Sequence, residues 1–517
     1  MLDKQVIIKM GYDHLKDNDR LDYIYKLAKT LINQSQKIVK PVFDLPPQII
    51  NSTIKQFYIQ RILHLKFNKS ILIALANKKQ LKIGLPLPWL SWLEENEGFT
   101  CNTFSNRIRW KLEVFYWYFV GIYFFLRYLL ILFKLFNEKH TPTPFVYFDN
   151  LSELNFPKEF TNSKTIVNWY FKNEDFAQIK ELLHNEKKIK DFEEKGVWIK
   201  SSELPFRLRV GKNLLFSYFV ALIRISISAF FQILKGNPIP ALLLKEYPLL
   251  FLSRKARKVD FAKNYFFHNS TAIYKPLWVH EAEKKGAIAI LYFYSANNRL
   301  VSIKEKDHQL FGHKEFMSWN KYYVWNTYQE RYIKSLLPDV KTKIVGPIWF
   351  QSSNAFMKNL KQSDKKIISV FDVQPYKMER YRILGMPNEY YTLSTISTFH
   401  QDIVDLFSGT DEYLIVLKRK RNTNMLDKGY LVMIEKLYTD LPFIQLNPEI
   451  DAHSLIEVSF ASIHLPSTST ALIAEDLGIK SIYYDGTLSL NKDDQSLAGI
   501  ELIQGKDQLE EWKKSLI

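Results

Sequence analysis

The stretch His464-Leu-Pro-Ser-Thr-Ser-Thr-Ala-Leu-Ile-Ala-Glu-Asp-Leu-Gly-Ile-Lys-Ser-Ile-Tyr-Tyr-Asp485 reads as strand, turn, helix and strand. A β-rich run ends at Pro466, and Ser467, Thr468, Ser469 and Thr470 open a helix expected over 469–478. Gly478 closes that helix as a C′ glycine, and the chain re-enters a sheet at Ser481. A helix N-terminus offers backbone N–H groups and the positive end of the dipole, so a cluster of hydroxyls there suits a phosphate. One Ser or Thr is enough for an N-cap. Four in succession exceed what capping requires, and the phosphate reading is preferred.

Working outward, the same alternation fills residues 366–517. Strands are expected at Ile367–Phe371, Tyr413–Leu417, Phe443–Gln445, Ser462–Leu465 and Ser481–Tyr484, with helices at about 394–408, 427–438, 451–458, 469–478 and 505–515. Such alternation builds a parallel sheet covered on both faces, a Rossmann-like domain. Residues 144–347 repeat the logic, with strands at Phe145–Phe148, Ile166–Tyr170, Val197–Lys200, Tyr265–Phe267, Ala287–Tyr294, Tyr322–Trp325 and Lys343–Val345. The polar segment 348–365 reads as a hinge between the two. Residues 1–143 are mostly helical in character, with a strand signal at Val6–Met10, and end in the Thr-Pro-Thr-Pro run of residues 141–144. The expected fold class is α/β, two Rossmann-like domains facing a cleft, behind a helical N-terminal extension. Ligands of such sheets bind beyond the strand C-termini, so candidate residues are sought in loops that follow strands.

Composition narrows the partners. The 517 residues carry a formal net charge of +17, and aromatics make up 15%, with 37 Phe and 29 Tyr. Surplus cations attract phosphate-bearing substrates, anionic lipid or nucleic acid. No Cys/His finger, RNP-like strand or basic region with heptads occurs, so no nucleic-acid partner is expected. The lone Cys101 excludes an internal disulfide framework and a multi-cysteine zinc site, and the N-terminal residues lack the apolar core of a secretory signal. A cytoplasmic location is expected. Neither a Walker A loop, a spaced-glycine fingerprint nor His-Glu-x-x-His is found, and no Asp-x-Asp is well placed after a strand. ATPase, dehydrogenase, metalloprotease and metal-dependent transferase readings therefore lack support, and no metal or cofactor is expected.

The hydroxyl-rich turn resembles the C-terminal nucleotide-sugar domain of GT-B polysaccharide transferases. More closely, it resembles the polysaccharide-biosynthesis family named for its Pro-Phe-Thr-Ser motif. Pro466-Ser467-Thr468-Ser469-Thr470-Ala471 stands at the motif, with Ser467 in place of the Phe, and Tyr483-Tyr484-Asp485 matches the strand end that follows. Leu291-Tyr292-Phe293-Tyr294-Ser295, Val324-Trp325-Asn326, Val345-Gly346-Pro347-Ile348 and Phe371-Asp372-Val373 are similar too, and the resemblance covers about residues 240–517. It implies a GT-B glycosyltransferase of surface-carbohydrate assembly, working without a metal. The donor would be a nucleotide sugar, leaning to a CMP-linked nonulosonate, and the acceptor a growing surface polysaccharide or lipid-linked glycan. A sugar-nucleotide 2-epimerase of the same fold and a non-catalytic assembly factor are the rival readings.

Lys418-Arg419-Lys420-Arg421 closes the strand Tyr413–Leu417. Lys418 and Arg419 are expected to neutralise the phosphates of the departing nucleotide, against the plainer reading of a solvated basic loop. The His-Pro pair of transferases for sialic-acid-like sugars is missing at this strand end, so no catalytic histidine is expected there. Asp372 either contacts ribose or acceptor, or caps a turn. A general base for an inverting transfer is sought after strands, at Asp149 and His268, or at His280 and Glu281 on the helix 276–285.

The apolar stretch Val114–Phe136 has 13 residues, Val114–Leu126, before its first charge at Arg127. A membrane span needs about 20. With Arg107, Arg109 and Lys111 ahead of it, the segment is expected to dock peripherally on an anionic membrane surface, on the inner face of the cytoplasmic membrane. The second apolar stretch, Leu214–Leu234, is broken by Arg224 and is expected to be buried wrapping of the sheet.

Overall fold

The computed structural model describes residues 3–516 apart from 137–143, 149–164, 171–189, 268–273, 297–300, 305–312, 348–359, 376–388, 420–426 and a few shorter breaks. The chain begins with helices α1 (Lys4–Asp17), α2 (Tyr23–Asn33), α3 (Pro47–Phe57), α4 (Leu65–Ala76) and α5 (Leu87–Glu97). Two short strands, β1 (Gln80–Leu81) and β2 (Thr100–Cys101), flank α5 and pair in parallel. The strand expected at Val6–Met10 is instead part of α1. Ile8, Tyr12 and Leu15 recur at helical spacing and are buried together, which a five-residue window could not reveal. These helices lock onto the next domain through Gln56. Its side chain accepts the Lys275 N–H at 2.8 Å and donates to Ser318 Oγ at 2.7 Å.

Helix α6 (Thr103–Lys134) is capped by Asn102, whose side chain accepts the Ser105 N–H. One face of it, including Val114, Trp117, Gly121 and Phe125, is buried. The strands β3 (Val146–Phe148), β4 (Thr165–Tyr170) and β5 (Val197–Ser202) come next, followed by helix α7 (Lys212–Leu234). Helix α7 runs antiparallel to α6, with Tyr218 donating to the Phe125 carbonyl and Tyr118 to that of Ser226. The expectation that 214–234 is buried is corrected: α7 covers Tyr218, Ala221, Ser226 and Ala229 against its neighbours, while Phe216, Ile227, Phe231 and Leu234 stand exposed. The reason is that α7 packs chiefly on α6 and on the short helix α8 (Ile239–Leu242), which cover only one of its faces.

After helix α9 (Tyr247–Lys255) come β6 (Asn264–Phe267), α10 (Leu277–Lys284), β7 (Ile288–Tyr292), β8 (Lys321–Val324), α11 (Thr327–Leu336) and β9 (Lys341–Ile344). Among the described residues these strands form one parallel sheet in the order β5-β4-β3-β6-β7-β8-β9. A second parallel sheet is built from β10 (Lys366–Phe371), α12 (Leu393–Phe407), β11 (Tyr413–Lys418), α13 (Lys428–Leu437), β12 (Phe443–Gln445), α14 (Ala452–Glu457), β13 (Ala461–His464), α15 (Thr470–Asp476), β14 (Lys480–Asp485), β15 (Leu502–Gln504) and α16 (Gly505–Lys514). Its order is β12-β11-β10-β13-β14-β15. Both sheets are doubly wound, which confirms the expected α/β class with two Rossmann-like domains. The edge strand β15 was not expected; three residues are too few for a periodic signal. The segment read as a hinge, 348–365, lies mostly outside the described residues.

Strand alternation assigns the two faces of the second sheet. Ile368 and Val370 of β10 enter the main core, which runs through the N-terminal helices and both domains. Ile367 and Phe371 enter a smaller core with Val416, Leu455 and Ile456. Packing is close where α1 crosses α4. A Cβ at Gly11 would lie 2.0 Å from the Leu72 carbonyl oxygen, a backbone atom that no rotamer change can move. Gly11→Ala should therefore destabilise the protein by ~1–3 kcal/mol despite alanine's better helix propensity, read as a lower urea midpoint.

Candidate functional site

Strands β11, β10 and β13 lie side by side, with Phe371 in register with Lys418 on one side and His464 on the other. The residues that follow, Asp372, Arg419 and the Leu465-Pro466 step, therefore leave the sheet at one level. Between β10 and β13 the strand order reverses direction, the position at which open α/β sheets form their ligand crevice.

The turn after β13 is fixed from several sides. Tyr391 donates to the Pro466 carbonyl at 2.8 Å and Tyr483 to the Thr468 carbonyl at 2.7 Å. Ser467 takes a left-handed backbone conformation, φ 65°, unusual for a residue with a side chain. Thr468 is buried and donates to the Leu465 carbonyl, while Thr470 Oγ1 lies 2.8 Å from His464 Nδ1. Helix α15 is shorter than expected, starting at Thr470 and ending before Gly478, which has φ 71°. Ser469 occupies its N-cap without making a side-chain cap bond.

The other two hydroxyls reach across to the first domain. Ser469 Oγ accepts the Ala296 N–H at 2.9 Å and Ser467 Oγ the Val301 N–H at 3.2 Å. Ser302 then donates from both its N–H and its hydroxyl to Asp494, at 2.7 and 2.6 Å, and Ile303 bridges to Leu490. Burial pushes the Asp494 carboxyl up, but hydrogen bonds from Ser302 and Ser496 prevail and bring it to about 2. The loop beyond β7 and the turn beyond β13 are thus in contact, so the C-terminal edges of the two sheets face each other.

Asp372 is fully buried. Its Oδ2 accepts from the Tyr430 hydroxyl and lies 2.9 Å from His400 Nε2, whose Nδ1 lies 2.7 Å from the Tyr438 hydroxyl. Its Oδ1 is buried without a hydrogen-bond partner among the described residues. Burial raises the Tyr430 pKa, and the Asp372 carboxylate adds to this while Arg419 opposes it, which places the Arg419 charge close to the pair. Arg419 is itself buried, and Lys418 Nζ donates to its carbonyl at 3.1 Å. Lys420 and Arg421 lie outside the described residues.

Of the candidate bases, Asp149 and His268 follow β3 and β6 directly in the chain and lie outside the described residues. Glu281, on α10, is engaged 2.8 Å from Lys284 and 3.8 Å from Arg254 of α9. Burial, with help from Lys275 and Lys284, holds the His280 pKa down to about 3, so the ring is neutral. Sequence reasoning missed His400, Tyr430 and Tyr438 around Asp372, and missed Asp494; each stands alone in its sequence neighbourhood, with no spacing that marks it. Among the described residues no group of three or more His, Cys, Asp or Glu side chains is gathered as a metal ion would need.

Residues 225–513 match the family model of polysaccharide biosynthesis PFTS motif proteins. No curated protein matches the chain. Similar solved structures include a UGT transferase from Siraitia grosvenorii in complex with UDP, at 9% identity and a TM-score of 0.35, covering 72% of this chain and 91% of that one. A UDP-glucosyltransferase from Polygonum tinctorium has 9% identity and a TM-score of 0.34, covering 73% of this chain and 90% of that one. A protein from Listeria monocytogenes assigned as a UDP-N-acetylglucosamine 2-epimerase has 9% identity and a TM-score of 0.37, covering 72% and 88%.

His464, at the base of the turn, has its pKa lowered by burial from 6.5 to about 3. The folded value is the lower one, so its contribution to stability is complete above pH 6.5 and is lost as pH falls toward 3. Between pH 6.5 and 5 this one residue should cost roughly 1–2 kcal/mol. Urea unfolding at pH 7 and pH 5 should show a smaller acid loss in His464→Asn than in the wild type.

Proposed function

The chain belongs to the family of polysaccharide biosynthesis PFTS motif proteins, and from that premise we propose that it is a glycosyltransferase. It moves a sugar from a nucleotide-activated donor to a growing surface polysaccharide or lipid-linked glycan. The observation that carries the reading is the convergence, at one strand-order reversal, of a cation, a hydroxyl-rich turn and a buried carboxylate with an oxygen to spare.

In this reading the turn Pro466–Thr470 receives the donor phosphates. Ser467 and Ser469 accept N–H groups of the other domain, and each keeps its own hydroxyl proton to donate to a phosphate oxygen. Asp372 Oδ1 accepts a ribose hydroxyl. The acceptor oxygen attacks the anomeric carbon, the bond to the phosphate oxygen breaks, and the nucleotide leaves with the electron pair. Lys418 and Arg419 stabilise the charge that grows on that phosphate. The acceptor's proton passes to a base on the first domain; Asp149 and His268, which follow β3 and β6 in the chain, are the candidates, and Glu281, already ion-paired, is the less suited. The hydroxyl turn leans the donor toward a CMP-linked nonulosonate. A 2-epimerase has no use for a lipid-facing surface, so the exposed apolar faces of α6 and α7 weigh for the transferase.

A thermal-shift screen against CMP, UDP, GDP and CDP should find one nucleotide that raises the apparent melting temperature. Indifference to all four would overturn the reading. Ser467→Ala with Ser469→Ala should weaken that nucleotide by ~1–3 kcal/mol. Lys418→Ala and Arg419→Ala should lower turnover by about ten- to a thousand-fold with a smaller loss of donor binding, and Arg419→Lys should not restore it. Wild-type turnover in both alanine variants would end the leaving-group role.

A further inference from the structure

Helices α6 and α7 are each long and apolar enough to cross a membrane. The sheet forbids it. If α7 crossed, β3 would lie on the opposite side from β6, yet Tyr147 and Phe148 pair with Tyr265 and Phe266 in one ladder. If α6 crossed, residues before it would be parted from those after it, yet Gln56 bonds Lys275 and Ser318, and Tyr25 donates to Glu315 at 2.7 Å. A crossing by both would again strand β3, β4 and β5 on the far side of their own sheet.

Their outer faces nevertheless each carry an apolar stripe. On α6 the exposed residues Phe104, Ile108, Leu112, Phe119, Leu126 and Leu130 follow helical spacing, Phe104 being 77% exposed. On α7 Phe216, Phe219, Ile223, Ile227 and Phe231 do the same, Phe216 being 71% exposed. Phe230, partly exposed, packs on Phe115 and Tyr118 and joins the two stripes. At 1.5 Å per residue the helices are about 48 and 35 Å long, so the joined surface is far larger than a monomer ordinarily leaves to water.

The charge pattern identifies what covers it. Helix α7 contains no acidic residue, and the only one on α6, Glu113, is held by Lys66 and by the Trp117 indole. Arg107, Arg109 and Lys111 are exposed along the first turns of α6, and Lys212 and Lys235 at the ends of α7 with Arg224 between them. An apolar stripe rich in Phe and bordered by cations alone complements anionic headgroups above acyl chains.

We propose that α6 and α7 form one in-plane docking surface that lies among the headgroups of an anionic bilayer, with neither helix crossing it. The inference does not depend on the donor or on the chemistry of the cleft. Its test is flotation of the full chain with vesicles of phosphatidylglycerol and phosphatidylethanolamine in equal parts. Phe119→Ser with Phe216→Ser and Phe231→Ser changes only exposed positions and should weaken partitioning by about tenfold or more. Arg107→Ala with Arg109→Ala and Lys111→Ala should do likewise, and neutral phosphatidylcholine vesicles should bind the wild type less. Added trypsin should reach sites in both 1–102 and 135–211 on sealed vesicles. Protection of either segment would show a crossing and overturn the proposal. So would unchanged flotation of the Phe variant, or absence of flotation with a dimer in sedimentation that the Phe variant dissociates, which would assign the surface to a second copy.

Discussion

The arrangement at the C-terminal edge depends on the pairing of β10 with β13, and within it on the flat contact of Phe371 with His464. The two rings lie 4.9 Å apart and 5° from parallel. The histidine spends one nitrogen on Ser462 within its own strand and the other on Thr470 at the helix start. A neutral ring can serve both as donor and acceptor, and burial keeps it neutral. One uncharged imidazole thus ties the strand end, the turn and the helix start together. Asp372 on one side and Pro466 on the other take their positions from it.

The turn is not the property of its own domain. Two of its hydroxyls accept N–H groups from the loop beyond β7, and Ser302 and Ile303 of the same loop go on to bond Asp494 and Leu490 of the second domain. These bonds are short, polar and directional, unlike the broad apolar core that holds each sheet to its helices. These directional bonds give the closed cleft a defined geometry, which the apolar core shared by both domains would not by itself impose. The left-handed Ser467 is part of that geometry: the backbone takes a costly conformation, and the side chain it presents is the one that meets Val301.

Legibility in the sequence followed the range of the interaction. Strands β10, β11, β13 and β14 showed themselves because each is a short apolar run between breakers, and the turn at 466–470 because four hydroxyls stand together. Edge strand β15 and the paired β1 and β2 are too short to carry a period. Val6–Met10 misled for the same reason, five residues fitting either repeat. Helix α7 misled differently: apolarity all round reads as burial, and only the placement of α6 and α8 shows one side uncovered. The surroundings of Asp372 were out of reach, because His400, Tyr430 and Tyr438 come from two helices whose packing no local pattern encodes. Net charge and aromatic content drew attention to the exposed apolar run of α6, but not to the face of α7 that lies open beside it.

The strand order that bars α6 and α7 from crossing a bilayer also sets a problem of timing. Strand β3 finds its first-sheet neighbour β6 only after more than a hundred further residues, α7 among them, have been made. At ribosomal rates that interval is on the order of ten seconds. During it, two helices apolar enough to enter lipid exist without the ladder that would forbid their passage. Any crossing by either helix would therefore have to precede completion of the sheet. The cations at the start of α6 and at Arg127 and Arg224 lie inside or beside those two segments, where the cost of desolvating a charge opposes insertion.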